Sequence, residues 1–179
     1  MRKIARLSAL MTRRLRESEP RASVCGKLLD ARVTCYGRVT IAVRTQGRLT
    51  RYNVQKNILT TAAPLRFARA IAGEDLGTPY IAVGDGTTQP SPSDTALENE
   101  LGRWVAAREA AGGATRLTTL IAPLELVGET LAEAGVFWDG AGAGAGSGIL
   151  MARTLINPPI DKTAQMSVQI IWEWGFVVE

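Results

Sequence analysis

The chain has no histidine among its 179 residues. That removes the side chain that most often serves as general base or metal ligand near neutral pH, and with it every histidine-containing triad. Cysteine is almost as scarce. Cys25 and Cys35 are too few for a disulfide framework and have neither metal-ligand spacing nor a Cys-x-x-Cys redox pattern, so both are read as reduced thiols. No apolar run approaches the roughly 18 to 20 residues that a transmembrane helix needs, so no membrane partner is expected. Met1-Arg2-Lys3 is basic like a signal-peptide start, but Arg6, Arg13, Arg14 and Arg16 break up the next residues before an apolar segment can form.

Other chemistry is equally thin. Glu98 with Glu100 and Glu125 with Glu129 are paired carboxylates, yet neither pair implies a cleft, and both read as solvated acids. Nothing in the spacing sets a lysine beside a serine. Gly84-Asp85-Gly86 lacks the third glycine or the Lys-Ser/Thr of a phosphate loop and reads as a turn. The expectation is a non-enzymatic protein with no cofactor, no metal and no small-molecule ligand.

What is present begins with charge. Residues 1–70 hold sixteen Lys/Arg against three Asp/Glu, whereas residues 71–179 hold five against fourteen. Two readings stay open. Either the basic half of one subunit meets the acidic half of the next, or the halves neutralise each other within one domain. Nucleic-acid binding has the electrostatics but lacks aromatic interleaving, zinc spacing or an RNA-binding signature, and is disfavoured.

Length suits one domain of about 100–150 residues with an appendage. Ile4, Leu7, Met11 and Leu15 form one stripe of a helix, with Arg6, Arg13 and Arg16 largely off it. These seven residues are the interface candidates. They make residues 1–23 a basic amphipathic arm and linker, closed by Pro20, ahead of a single β-rich domain over 24–179. The stripe has no interfacial aromatic, so a partner's groove suits it better than a lipid surface.

Val39, Ile41 and Val43 alternate with Arg38, Thr40 and Arg44 up to a turn at Thr45-Gln46-Gly47, and Leu49–Leu59 returns as the second strand of a hairpin. Pro64 opens a short helix that Gly73 ends. Tyr80–Gly84 reads as a buried strand. Asp94, or the pair Thr95 and Glu98, opens a second helix with Leu97, Leu101 and Trp104 on one face. A Gly/Ala spacer, strands over 116–126 and 133–139, and a flexible low-complexity tip at 140–148 come next. Ile149–Leu155 is a further strand, Asn157-Pro158-Pro159 a connection, and the last strand sets Met166, Val168, Ile170, Trp172, Trp174 and Phe176 on a core face. The fold expected is α+β and β-rich, an antiparallel sheet or sandwich with two or three short helices and a basic helical arm.

The run Ile81-Ala82-Val83-Gly84-Asp85-Gly86-Thr87-Thr88, then Pro90, Asp94-Thr95-Ala96-Leu97, Glu100-Leu101 and Arg103, resembles a widespread group of phage tail and minor virion proteins. Glu133-Ala134-Gly135-Val136-Phe137, a small-residue hairpin, Leu150-Met151-Ala152-Arg153, Pro158-Pro159 and a closing strand near Trp172 stand in the group's order, as does the lead-in strand Arg51–Thr60. The same order is similar to the tail-collar fibre domain that roots long fibres on a baseplate. Tail-collar fibres continue into a repetitive shaft, whereas this sequence stops almost at its last strand. The resemblance therefore implies a virion structural protein, a collar, baseplate or fibre-docking tail subunit. It would assemble in the host cytoplasm as a ring or trimer with itself and with other virion proteins. A capsid decoration protein is the alternative.

Overall fold

The computed structural model describes residues 33–178, and the compact body within them spans Thr34–Val177. The arm residues Ile4, Arg6, Leu7, Met11, Arg13, Leu15 and Arg16, and Cys25, lie outside the described residues.

The alternating segments form a β-hairpin. Strand β1 (Val33–Thr45) and strand β2 (Arg48–Lys56) pair antiparallel, with Thr45 opposite Arg48 and Ala42 opposite Tyr52. The two turn residues, Gln46 and Gly47, both take positive φ (51° and 78°), the combination whose twist matches that of the flanking strands. Gln46 holds this conformation without glycine's freedom because its N–H donates to the Gln165 carbonyl at 3.0 Å. The chain then changes sheet at Asn57. Strand β3 (Ile58–Leu59) leads into helix α1 (Ala63–Ile71), which has Pro64 in its first turn and Gly73 just past its end, as the sequence punctuation implies.

Seven more strands complete the chain: β4 (Tyr80–Gly84), β5 (Glu100–Val105), β6 (Ala107–Ala111), β7 (Ala114–Ile121), β8 (Thr130–Trp138), β9 (Ile149–Asp161) and β10 (Met166–Val178). They build two five-stranded sheets, ordered β2-β1-β10-β7-β6 and β3-β9-β8-β4-β5. The β1–β10 contacts, Arg38 with Glu173 and Arg44 with Gln169, run in opposite directions along the two strands, so this pair is antiparallel like the others.

One core fills the space between the sheets. Val39 and Ile41 of β1 and Ile170 and Trp172 of β10 meet Val83 of β4 and Val136 of β8, all fully buried. The alternation of the last strand thus places Val168, Ile170, Trp172 and Trp174 in the core as expected. Where β2 would leave the sandwich edge open, its inward polar side chains close it. Asn53 Nδ2 donates to the Asn157 carbonyl at 2.7 Å, while Gln55 and Arg51 donate to the Leu155 and Pro158 carbonyls of β9.

Several expectations need correction. Residues 94–99 are bend and irregular loop, and Glu100–Val105 is a strand paired with β4, so the second helix does not form. The capping groups are engaged elsewhere: Asp94 accepts from the Ser91 N–H at 2.9 Å, and Glu98 accepts from Thr87 and Thr88. Among the described residues there is one helix rather than two or three. The Gly/Ala spacer holds β6 and a hairpin turned by Gly112 and Gly113, both at positive φ. The strand expected over 116–126 ends at Ile121. The connection expected at Asn157-Pro158-Pro159 instead lies within β9, with a cis Asn157–Pro158 bond.

Candidate functional site: a charge-locked loop and two exposed apolar surfaces

Strand β8 carries Glu133 in an otherwise apolar run, and β9 carries Arg153 in another. Both point to the outer side of their sheet, where residues 85–99 fold across them. The Glu133 side chain is fully buried and that of Arg153 is 4% exposed. Arg153 Nε donates to Glu133 Oε2 at 2.8 Å and Nη1 donates to Asp94 Oδ2 at 2.8 Å; Nη2 also lies 2.8 Å from Glu133 Oε2 as an ion-pair contact without hydrogen-bond alignment.

The Glu133 carboxylate in turn accepts the backbone N–H groups of Glu98 (3.2 Å) and Asn99 (2.9 Å). Glu98 Oε2 accepts those of Thr87 and Thr88, both at 2.8 Å. These bonds supply partners to loop amides that would otherwise lie unpaired against the sheet. Leu97 completes the seal by packing with Ala82, Phe137 and Leu150.

Two glycines make the close approach possible. A Cβ on Gly84 would overlap the Asn99 carbonyl oxygen, and one on Gly86 would overlap Glu133 Oε1. Burial alone pushes the Asp94 carboxyl up, but the Ser91 amide and Arg153 hold it below its ordinary value. Glu98 is also held low, by the Thr88 amide first and then by Thr87 and Arg153.

A second buried arginine fixes the Gly/Ala segment. Arg103 of β5 makes a two-point pair with Glu100 (2.5 and 2.6 Å), lies over the Phe137 ring at 4.3 Å, and donates to the Ser147 carbonyl at 2.8 Å. Ser147 Oγ accepts from the Gly142 N–H and donates to the Gly144 carbonyl. The segment expected to be a flexible tip is therefore pinned at both limbs. Of the acids read as solvated, Glu129 is exposed, whereas Glu98 and Glu100 are bonded as described and Glu125 accepts Trp104 Nε1 at 3.0 Å and the Ala122 N–H at 2.6 Å, two bonds that depress its pKa.

The body also holds large apolar side chains in solvent at several places, among them Leu65 and Ile71 of α1 and two further surfaces. On the outer face of the first sheet, Tyr52 (64% exposed) and Val54 succeed each other along β2, and Tyr36 and Val54 line a groove of about 430 Å³ together with Arg38 and Lys56. Between β7 and β8, the loop 122–129 exposes Leu124 and Val127.

Lys162 organises that loop. Its buried Nζ donates to the Pro123 carbonyl at 2.8 Å, its backbone N–H donates to the Glu129 carbonyl, and its own carbonyl accepts the Gly128 N–H. Desolvation lowers the Lys162 pKa, opposed by Glu125.

Sequence reasoning found the stretches that build the charge cluster but missed the pairing. The available signal was two lone opposite charges, Glu133 and Arg153, each set in an apolar strand. No helix among the described residues is long and apolar enough to cross a membrane, and no group of three or more His, Cys, Asp or Glu among them is placed to hold a metal. Comparison with protein-family models, with curated proteins and with solved structures finds no match to this chain.

Proposed function

We propose that the chain is a structural subunit of a bacteriophage particle, a tail component of the collar, baseplate or fibre-docking region that acts through contacts with its own copies and with neighbouring virion proteins. The observation that carries this reading is the convergence of parts of three of the stretches that carry the resemblance. Gly84–Glu100, Glu133–Phe137 and Leu150–Arg153 are far apart in sequence, yet they meet in one buried charge cluster. These residues of the shared pattern form a single packed unit. Its residues lock a loop onto a sheet, which suits a subunit whose work is to present a fixed surface.

The exposed face at Tyr36, Tyr52 and Val54 adds support, because apolar side chains clustered in solvent commonly mark a contact surface. The test is electron microscopy of particles assembled without the chain. Particles that lack tails or fibres are expected. Intact infectious particles would refute the proposal, and normal tails on capsids that fail at low salt would move the chain to capsid decoration.

A further inference from the structure

The loop 122–129 combines rigidity with an exposed apolar tip. Its two limbs are drawn together on Lys162, and the Glu125 carboxylate binds it from within, yet Leu124 is 81% and Val127 49% exposed. A loop that merely connected two strands would gain nothing from holding two large apolar side chains in water.

The surroundings carry one sign of charge. Glu129 and Asp161 are exposed beside the tip and tied together through Thr130, whose Oγ1 donates to Asp161 Oδ1 at 2.8 Å. From Leu117 to Val178 the only basic residues are Arg153 and Lys162, 3% and 2% exposed. The solvent-facing charges that residues 117–178 bring to this patch are therefore acidic, and the neighbouring cation, Arg51 of β2 beside Asp161, has its guanidinium turned onto the Pro158 and Pro159 carbonyls.

The complement lies in the same sequence. Residues 2–16 hold six Lys/Arg and no acid, interleaved with the stripe Ile4, Leu7, Met11 and Leu15. We propose that the loop 122–129, with Glu129 and Asp161, is the receptor for the basic amphipathic segment 3–17 of a neighbouring copy. The inference rests on the proposed self-assembly and deepens it by naming both halves of the contact. The stripe covers Leu124 and Val127 while Arg6, Arg13 and Arg16 reach the acids. With one donor segment and one receptor loop per chain the contact is head-to-tail, and repetition of one such contact closes a ring when its rotation returns to the first copy.

The test uses the full chain with a photo-crosslinking residue at position 124, mixed from isotopically heavy and light preparations. Cross-linked peptides joining position 124 to residues 1–17 are expected as heavy–light hybrids. Glu129→Lys with Asp161→Lys should lower the hybrid yield about tenfold, as expected when attractive contacts become repulsive, and adding Arg13→Glu with Arg16→Glu should restore it. Cross-links confined to single chains would overturn the proposal in favour of an arm folded on its own domain. A defined oligomer with no cross-link to residues 1–17 would overturn it while leaving self-assembly standing. A monomer at all concentrations would overturn both.

Discussion

Arg153→Met removes the guanidinium while keeping a long apolar stem, and it isolates Glu133. That carboxylate is fully buried and would keep only the Glu98 and Asn99 amides as donors; Asp94 would keep the Ser91 amide. Breaking a buried pair from one side costs about 3–5 kcal/mol, chiefly because the remaining charge is left without its partner. The two amides on Glu133 place the expected loss at the low end, about 3 kcal/mol. In a domain of this size each kcal/mol shifts Tm by about 2–4 °C, so the variant should melt about 6–12 °C lower. Calorimetry gives the shift, and amide exchange over residues 84–99 should accelerate more than exchange in β1 or β10. Adding Glu133→Met should recover much of the loss, since replacing both partners of a buried pair by apolar side chains is often neutral. A single-variant loss under about 1 kcal/mol, or a double variant no better than the single, would refute the charge-lock reasoning.

Gly84→Ala should destabilise by at least about 2 kcal/mol, because its new methyl meets the Asn99 backbone oxygen rather than a side chain able to swing away; an unchanged urea midpoint would contradict this. The depressed pKa values of Glu98 and Asp94 lie below those of the unfolded chain, so their stabilisation is complete above about pH 5 and is lost as pH falls through the folded values. Titration of the Thr87 and Thr88 amide resonances should show a midpoint below the ordinary glutamate value of about 4.3, and a midpoint at or above it would count against the assignment. Tyr52→Glu with Val54→Glu should weaken contacts made by the β2 face in sedimentation runs with neighbouring virion proteins, leaving the cross-link between position 124 and residues 1–17 in place and changing stability by no more than about 1 kcal/mol, as befits two exposed sites.

Much of the fold is legible in local pattern. The two-residue turn at Gln46-Gly47, the Pro64–Gly73 punctuation of α1 and the core face of β10 come from alternation and turn chemistry alone. The segment 94–104 misleads because its periodicity and capping groups fit a helix equally well. Tertiary bonds decide there: Glu98 goes to Thr87 and Thr88, Asp94 to Arg153, and β5 to the free edge of β4. The 140–148 segment misleads for a related reason. Its composition predicts freedom, while its anchor, Arg103, lies 39 residues before Gly142 and 44 before Ser147 in sequence. The charge cluster is visible as isolated residues but not as a set, because its members are joined only by strand register, with Glu133 opposite Gly84 and Arg153 opposite Gly135.

The central claim, that this body is a phage tail subunit, is tested most directly by a density map of the intact particle. The two-sheet body is expected in a closed ring or trimer at the collar or baseplate, with density for segment 3–17 of a neighbouring copy on the loop 122–129 of each. A map in which the body sits on the capsid lattice, or in no part of the particle, would contradict it.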